Sequence, residues 1–280
     1  MFENDNKLLW SPSKDQIESS SMFLFMKMVN KKYKLKLKNF RDLHHWSVDK
    51  REDFWSEVWD FYELIGEKGS TPYLLPDNKM PGSKFFPEGK ISYAENILKK
   101  HDRETAIIFQ SENKIFKTMS WKDLYNQVAS TADFFSSIGI KKGDRVAAYL
   151  PNIPETIVVM LAATSLGAIF SSASPDFGSD GVLDRFGQIK PKLLITTDGY
   201  NYNGKEIKIK NKVEKIVEGL PSIEAILMIP LIQSNEIYND HKTYLFNKIL
   251  EDHQNKNLRF ERLRLNDPLY IMYSSGTTGK

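Results

Sequence analysis

Apolar residues recur at helical spacing in the N-terminal part of the chain. Ser13-Lys-Asp-Gln16 has the form of a capping box, in which the serine and glutamine side chains satisfy backbone N–H groups at the start of a helix. Behind it, Ile17, Leu24, Phe25 and Met28 fall on one face. The pattern predicts one helix over this stretch.

A second amphipathic stretch follows. Asp49-Lys-Arg-Glu52 resembles another helix start, and Gly66 is typical of a helix end. Between them runs a heavily aromatic stripe of Phe54, Trp55, Val58, Trp59, Phe61, Tyr62 and Ile65. We interpret it as the face that docks this helical segment onto the rest of the protein.

Residues 66–90 are punctuated by proline and glycine, which excludes both a helix and a central strand. We therefore predict a helical N-terminal segment with its linker at 1–90, and a separate domain at 91–280.

From residue 91 the pattern changes to short apolar runs that alternate with helical patterns. Ser92 and Ser120 precede predicted helices, and 106–110 with 115–118 predict a hairpin. Strands are predicted at 145–150, 168–172, 192–196, 225–229 and 269–273, and helices at 154–166, 181–189, 208–217 and 244–250. This alternation predicts an α/β fold with an incomplete doubly wound, mainly parallel sheet.

Composition narrows the class of protein. The chain has 280 residues, of which 41 % are hydrophobic and 27 % charged, and no cysteine. Disulfides, thiolate metal sites and cysteine nucleophiles are thereby excluded. The polar start, MFENDNKLLW, is unlike a secretory signal, and no apolar run has the length of a membrane helix. We expect a cytoplasmic protein with no membrane partner.

The formal charge of +3 comes with lysine clusters at 27–38 and 205–215 that contain no arginine. Nucleic-acid-binding domains are more basic and carry arginine and aromatic residues together. We interpret the first cluster as a solvated face and expect no nucleic-acid partner.

The chain ends on Tyr273-Ser-Ser-Gly-Thr-Thr-Gly-Lys280, directly after the last predicted strand. Ligands bind at the carboxyl ends of strands in open α/β sheets, and such a turn offers hydroxyls, backbone N–H groups and a lysine to a phosphate. It is not a Walker A loop, which would have glycine where Ser274 stands. Composition alone leaves an ordinary surface turn open.

The order of these residues resembles the phosphate-binding loop of the acyl-adenylate-forming enzymes. PNIPETIVVMLAATSLGAI (151–169) is similar to a unit of the same superfamily. The acetoacetyl-CoA synthetase branch in particular is matched by LLWSPS (8–13), FRDLHHWSVDKREDFWSEVWDF (40–61), FSSASPDFG (170–178), DRFGQIKPKLLI (184–195) and GYNYNGKEI (199–207). In that superfamily the loop continues past the lysine, so we expect the sequence to be the N-terminal fragment of a longer enzyme.

The resemblance implies ATP-dependent ligation of acetoacetate to coenzyme A through an acyl-adenylate, with Mg²⁺ accompanying ATP. It assigns the β- and γ-phosphates of ATP to Ser274, Ser275, Gly276, Thr277, Thr278, Gly279 and Lys280, with Thr277 and Thr278 as the main oxygen contacts. It implies no catalytic residue and no metal ligand within this chain. We expect the fragment alone to be inactive.

For coenzyme A, the resemblance implies contacts at Phe177 and Gly178 and at Asn203, Gly204 and Lys205. Relatives carry a basic Arg/Gly/Gly stretch near the second place, whereas Tyr200 to Asn203 contains no arginine here. Lys205 then becomes the main cation, with an exposed hairpin lysine as the alternative.

Other conspicuous residues have ordinary interpretations. Adjacent His44 and His45 point apart on a helix and predict a surface pair rather than a metal site. Asp184 and Arg185 predict a helix-surface or structural ion pair rather than catalytic residues. No Ser/His/Asp triad is readable from the spacing.

Two further functions stay open at this point. A related acetyl-CoA or other short-chain acyl-CoA synthetase would carry the same motifs. A truncated, non-catalytic module that binds nucleotide or coenzyme A belongs to a different class.

Overall fold

The secondary structure was obtained from a computed structural model, which describes residues 8–76, 78–112, 116–232, 242–254 and 257–274. In chain order the elements are α1 (Lys14–Glu18), α2 (Ser21–Tyr33), α3 (Phe40–Asp49), α4 (Arg51–Phe61), β1 (Gly66–Glu67), β2 (Leu74–Leu75), β3 (Lys84–Phe85), β4 (Lys90–Ile91), α5 (Tyr93–Ile97), β5 (Thr105–Gln110), β6 (Phe116–Ser120), α6 (Trp121–Ser137), β7 (Arg145–Tyr149), α7 (Pro154–Ser165), β8 (Ile169–Ala173), α8 (Ser179–Ile189), β9 (Leu193–Thr197), β10 (Gly199–Tyr202), β11 (Lys205–Lys208), α9 (Lys210–Gly219), β12 (Ala225–Ile229), β13 (Lys242–Leu245), α10 (Phe246–Asp252), β14 (Leu263–Arg264) and β15 (Tyr270–Ile271).

The chain divides into two compact units. One comprises Met1–Leu64 with Lys68–Glu88, and the other comprises Ile65–Glu67 with Gly89–Lys280. The assignment of 1–90 and 91–280 to two functional domains stays a prediction.

The first predicted helix is two helices. The capping box at its start is confirmed, because Ser13 Oγ accepts from the Gln16 N–H at 3.2 Å and Gln16 Oε1 accepts from the Ser13 N–H at 2.8 Å. However, α1 ends at Glu18, and Ser20 caps α2 by accepting from the Phe23 N–H. Serine favours caps over helix interiors, which explains the break.

The helix start predicted at Asp49 is wrong. Asp49 is the last residue of α3, and α4 begins behind Lys50 without a side-chain cap. Instead, Asn39 caps α3, since its Oδ1 accepts from the Asp42 N–H at 3.0 Å.

Part of the aromatic stripe packs inside the helical unit. Phe54, Val58 and Phe61 of α4 lie against a cluster from α2 and α3 that comprises Phe25, Met26, Val29, Leu43 and Trp46. Burial of such side chains stabilises the packing of three helices on one another. These three residues of the stripe are thus part of the core of this unit, whereas Trp55 and Tyr62 are exposed, and the interpretation of the stripe as a docking face stays a prediction.

A buried carboxylate joins α2 to α4. Glu57 is 2 % exposed and accepts from Lys32 Nζ at 2.6 Å and from the Tyr33 hydroxyl at 2.8 Å. Lys32 belongs to the basic cluster at 27–38, whose other lysines are exposed. The cluster is therefore a solvated face, in which the exposed Lys32 also forms an ion pair with Glu57.

The second unit contains a six-stranded sheet in the order β13-β12-β9-β7-β8-β15, in which every pairing is parallel. Alternate residues of its strands face two cores. Val146 and Ala148 of β7 pack with α6, α7 and α10, whereas Ala147 and Tyr149 pack with α8 and α9. Helices on both faces confirm the predicted doubly wound, mainly parallel α/β fold.

The sequence missed several short or polar strands. β13 (Lys242–Leu245) forms a sheet edge although it begins with lysine and threonine, so α10 begins later than predicted. β10 and β11 form an antiparallel hairpin outside the main sheet. The hairpin predicted at 106–110 with 115–118 is confirmed as β5 and β6.

The described residues of the connection at 66–90 contain no helix, as predicted. They carry two-residue strands, and the last of these, β4, lies between β1 and β14 in a small three-stranded sheet, so the exclusion of a central strand is wrong at Lys90. Among all the described helices, none is long and apolar enough to cross a membrane.

Candidate functional site

The candidate site lies at the carboxyl ends of the parallel strands. The chain leaves β7 toward β8 on one side and leaves β9 toward β12 on the other. Adjacent strands whose connections diverge create the crevice in which doubly wound proteins bind ligands. The turn 174–178 follows β8, and the hairpin β10–β11 follows β9, so both segments predicted to contact coenzyme A start from this edge.

Tyr149, the last residue of β7, is hydrogen-bonded to the turn 174–178. Its fully buried hydroxyl lies 2.9 Å from the Pro175 carbonyl and 2.6 Å from the Phe177 carbonyl, and donates its single proton to them. Burial, reinforced by Tyr200 and Asp176, raises the pKa of Tyr149 above its ordinary value. The hydroxyl therefore stays a donor at physiological pH.

Tyr200 of β10 ties the hairpin to the same turn. Its hydroxyl donates to Asp176 Oδ1 at 2.8 Å, and Asp176 Oδ2 accepts from Ser174 Oγ at 2.8 Å. Burial and the hydrogen bond to Asp176 raise the pKa of Tyr200 to about 12. Lys212 Nζ of α9 also donates to the Pro175 carbonyl at 2.9 Å. The turn is thus fixed from three elements.

The hairpin turn has the geometry of a two-residue loop. Asn203 and Gly204 both have positive φ, 49° and 71°, and Tyr202 pairs with Lys205 across them. Asn-Gly is the sequence that favours such type I′ turns. Among the described residues, one long hydrogen bond, from the Gly204 N–H to Glu112 Oε2 at 3.4 Å, joins this turn to the rest of the unit.

The predicted coenzyme A residues are accessible. Phe177 is 42 % exposed, and Gly178, Asn203, Gly204 and Lys205 are exposed. Gly178 is the N-cap of α8 and provides no side-chain cap, so N–H groups of the first helical turn are open to an anion. Lys205 makes no ion pair with any described residue. The arrangement offers an aromatic face, amides and a cation.

A buried aspartate supports the same edge. Asp198, directly after β9, is fully buried and accepts from the N–H groups of Leu231 at 2.7 Å and Ile232 at 3.1 Å. The next residue, Gly199, has no room for a side chain, because an added Cβ would lie 2.6 Å from the Ile207 carbonyl oxygen. These contacts fix where the hairpin leaves the sheet.

The predicted phosphate loop is described only at its start. β15 pairs with β8 through Tyr270 and Ile271, and Ser274 is exposed beyond it. The Tyr273 hydroxyl donates to the Arg185 carbonyl of α8 at 2.6 Å. The phosphate contacts predicted beyond Ser274 stay predictions, because they concern residues outside the described part of the chain: Ser275, Gly276, Thr277, Thr278, Gly279 and Lys280.

Two residue pairs, His44 with His45 and Asp184 with Arg185, were predicted to have no metal-binding or catalytic role. His44 and His45 are exposed, and among the described residues no group of three His, Cys, Asp or Glu could hold a metal ion. Asp184 and Arg185 form no ion pair, which corrects that prediction. Arg185 instead donates to the Gly181 carbonyl and lies over aromatic rings.

Sequence reasoning missed the residues that build the site rather than line it: Tyr149, Asp198, Tyr200 and Lys212. Their partners are distant in sequence, so no local pattern shows them. One signal was available, because Asn203-Gly204 between short strand-forming runs predicts the hairpin.

Several known proteins are similar to this chain. Residues 94–280 match the model of the AMP-binding enzyme family. The acetoacetyl-coenzyme A synthetase of Rhizobium meliloti (strain 1021) is 39 % identical over 279 residues, which cover 97 % of this chain and 42 % of that protein. The acetoacetyl-CoA synthetase of Xenopus tropicalis is 37 % identical, with 98 % and 42 % covered.

A solved structure agrees with these relatives. The acetoacetyl-CoA synthetase from Streptomyces lividans matches with a TM-score of 0.89 and 32 % identity, over 98 % of this chain and 42 % of that one. The chain thus spans less than half the length of the proteins that it matches.

Proposed function

The chain belongs to the AMP-binding enzyme family, and from that premise we propose that the protein containing it is an acid–thiol ligase that joins acetoacetate to coenzyme A. A carboxylate oxygen of acetoacetate attacks the α-phosphorus of ATP, and pyrophosphate leaves. The thiol of coenzyme A then attacks the acyl carbonyl, and AMP leaves. The single observation that carries the proposal is similarity to acetoacetyl-CoA synthetases along 97–98 % of this chain.

In this proposal, 91–280 is the first part of the adenylation domain, preceded by a helical segment at 1–90. Ser274 to Lys280 bind the β- and γ-phosphates, where hydroxyls, N–H groups and the lysine offset charge that develops in the transition state. Mg²⁺ enters bound to ATP and neutralises phosphate charge; we assign it no ligand in this chain. The cysteine-free composition supports a cytoplasmic setting.

Coenzyme A is proposed to bind along Phe177, Gly178, Asn203, Gly204 and Lys205. The exposed Phe177 ring provides an apolar face, and the N–H groups behind Gly178 with Lys205 suit the negative phosphates of the cofactor. What supports this is the Tyr200–Asp176 hydrogen bond, which ties the two segments together at one edge of the sheet.

Pyrophosphate exchange tests the proposal. The complete protein that contains this chain is assayed for exchange of labelled pyrophosphate into ATP with acetoacetate, acetate or propionate. We expect acetoacetate to stimulate exchange most. Equal stimulation by acetate would favour a short-chain acyl-CoA synthetase, and no exchange with any acid would favour a non-catalytic binding module.

A further inference from the structure

Arg185 connects the two predicted substrate segments. It lies on α8, and its guanidinium carbon is 4.7 Å from the ring centroid of Phe177 and 5.9 Å from that of Tyr273. Both distances fall within the range of cation–π contacts. Phe177 belongs to the predicted coenzyme A turn, and Tyr273 immediately precedes the predicted phosphate loop.

The arginine is held by its own helix and is not neutralised. Its Nη1 donates to the Gly181 carbonyl at 2.7 Å, one turn earlier in α8. No described carboxylate forms an ion pair with it. Besides the Gly181 carbonyl, the two aromatic faces are therefore the partners of its charge among the described residues, and a flat guanidinium can contact two rings at once.

The strand that leads to the phosphate loop is held up to Ile271 by β8, whose Ser171 Oγ donates to the Ile271 carbonyl at 2.9 Å and whose Ser172 hydroxyl is hydrogen-bonded to that of Tyr270. β15 pairs with β8 at only two positions, Tyr270 with Phe170 and Ile271 with Ser171. Beyond Ile271, Tyr273 contacts α8 twice, through its ring over the Arg185 guanidinium and through its hydroxyl on the Arg185 carbonyl. Arg185 therefore contacts the residue before Ser274 through its guanidinium and through its main-chain carbonyl, beside a hydrogen bond between Tyr273 and Ser171.

We propose that Arg185 is a positioning residue that couples the turn at Phe177 to the end of β15 at Tyr273. A shift of the Phe177 ring changes the position of the guanidinium, and the guanidinium changes the position of Tyr273. The consequence for substrates rests on the proposed function. Binding of coenzyme A at the turn changes the affinity of the phosphate loop for ATP, and binding of ATP changes the affinity for coenzyme A by the same factor.

Fluorine NMR tests the coupling without any need for activity. 3-Fluorotyrosine is placed at position 273 of the complete protein, and Phe177→Leu is introduced with and without Arg185→Met. Methionine keeps a flexible, unbranched side chain, although a shorter one, and removes the charged guanidinium. We expect Phe177→Leu to shift the fluorine resonance when Arg185 is present and to leave it unchanged in Arg185→Met.

Two results would overturn the proposal: an equal shift in both backgrounds, or no shift in either. Gln188→Met, an exposed change on the same helix, is the matched control and should behave as wild type. If Arg185→Met does not fold, Arg185→Lys replaces it. Lysine keeps the charge without the flat guanidinium, so we expect a smaller shift than with arginine, and a full shift would contradict the proposal.

Kinetics extend the test to function. Phe177→Leu should raise the KM for both coenzyme A and ATP, the latter about fivefold, the lower end of common coupling. In Arg185→Met, the same change should raise only the KM for coenzyme A. If Phe177→Leu raises the KM for ATP as much in the Arg185→Met background as in the wild-type background, the coupling is contradicted. If the wild-type protein has no ligase activity, the proposed function fails, while the NMR comparison still decides the role of Arg185.

Discussion

The turn 174–178 and the hairpin turn 202–205 are both predicted to bind coenzyme A, but they differ in the hydrogen bonds that hold them in place. The first turn accepts hydrogen bonds from Tyr149, Tyr200 and Lys212, and both tyrosine side chains are buried. The second is exposed, and in the described part of the chain one hydrogen bond of 3.4 Å joins it to the rest of its unit. Changes at the first should alter stability and ligand binding together, whereas changes at the second should alter ligand binding alone.

Tyr149→Phe should have the largest effect on stability. It removes the donor to the Phe177 carbonyl from a fully buried position. A buried group left without a partner costs about 1–3 kcal/mol in the free energy of unfolding. Urea denaturation of the complete protein measures the loss. Tyr202→Phe, an exposed change in the hairpin, is the control and should stay within about 0.5 kcal/mol of wild type; equal losses in both variants would remove the distinction.

Tyr200→Phe should cost less, about 1 kcal/mol, because Asp176 is exposed and water can replace the lost donor. The effect should also depend on pH. The pKa of Tyr200 is raised to about 12, so its contribution is complete below the unfolded value near 10 and is lost as pH rises through 12. Unfolding of both proteins between pH 8 and 12 measures it. A gap between them that stays constant above pH 10 would contradict the hydrogen bond.

Lys205→Ala should have the smallest effect on stability, within about 0.5 kcal/mol. Because Lys205 is the main cation predicted for coenzyme A phosphates, we expect its loss to raise the KM for coenzyme A about tenfold, as for a charged hydrogen bond of roughly 1.4 kcal/mol. Pyrophosphate exchange should not change. Lys208→Ala, at the base of the same hairpin, is the matched control. If both variants raise the KM equally, Lys205 has no specific role.

The main sheet was predictable because its central strands are buried on both faces and contain continuous apolar runs, such as 193–195 in β9 and Ala225–Ile229. β13 was not, since a partly exposed edge strand with lysine and threonine lacks that pattern. The break between α1 and α2 was missed because serine caps depend on local hydrogen bonds that apolar spacing does not show.

The candidate site was predictable only where a motif carries it. Phe177, Gly178 and the residues of the hairpin turn came from resemblance, and their exposure agrees with a binding role without testing it. Tyr149 and Arg185 were missed as supports because their roles depend on tertiary contacts, in the case of Arg185 with a tyrosine 88 residues away. A single sequence contains no local record of such pairs.

The most direct test of the account measures products with acetoacetate, ATP and coenzyme A together. The complete protein is incubated with all three, and nucleotides and thioesters are quantified by mass spectrometry. We predict one AMP for each acetoacetyl-CoA formed, and no AMP when acetoacetate is omitted. Formation of ADP instead of AMP, or consumption of ATP without a thioester of acetoacetate, would contradict ligation through an acyl-adenylate.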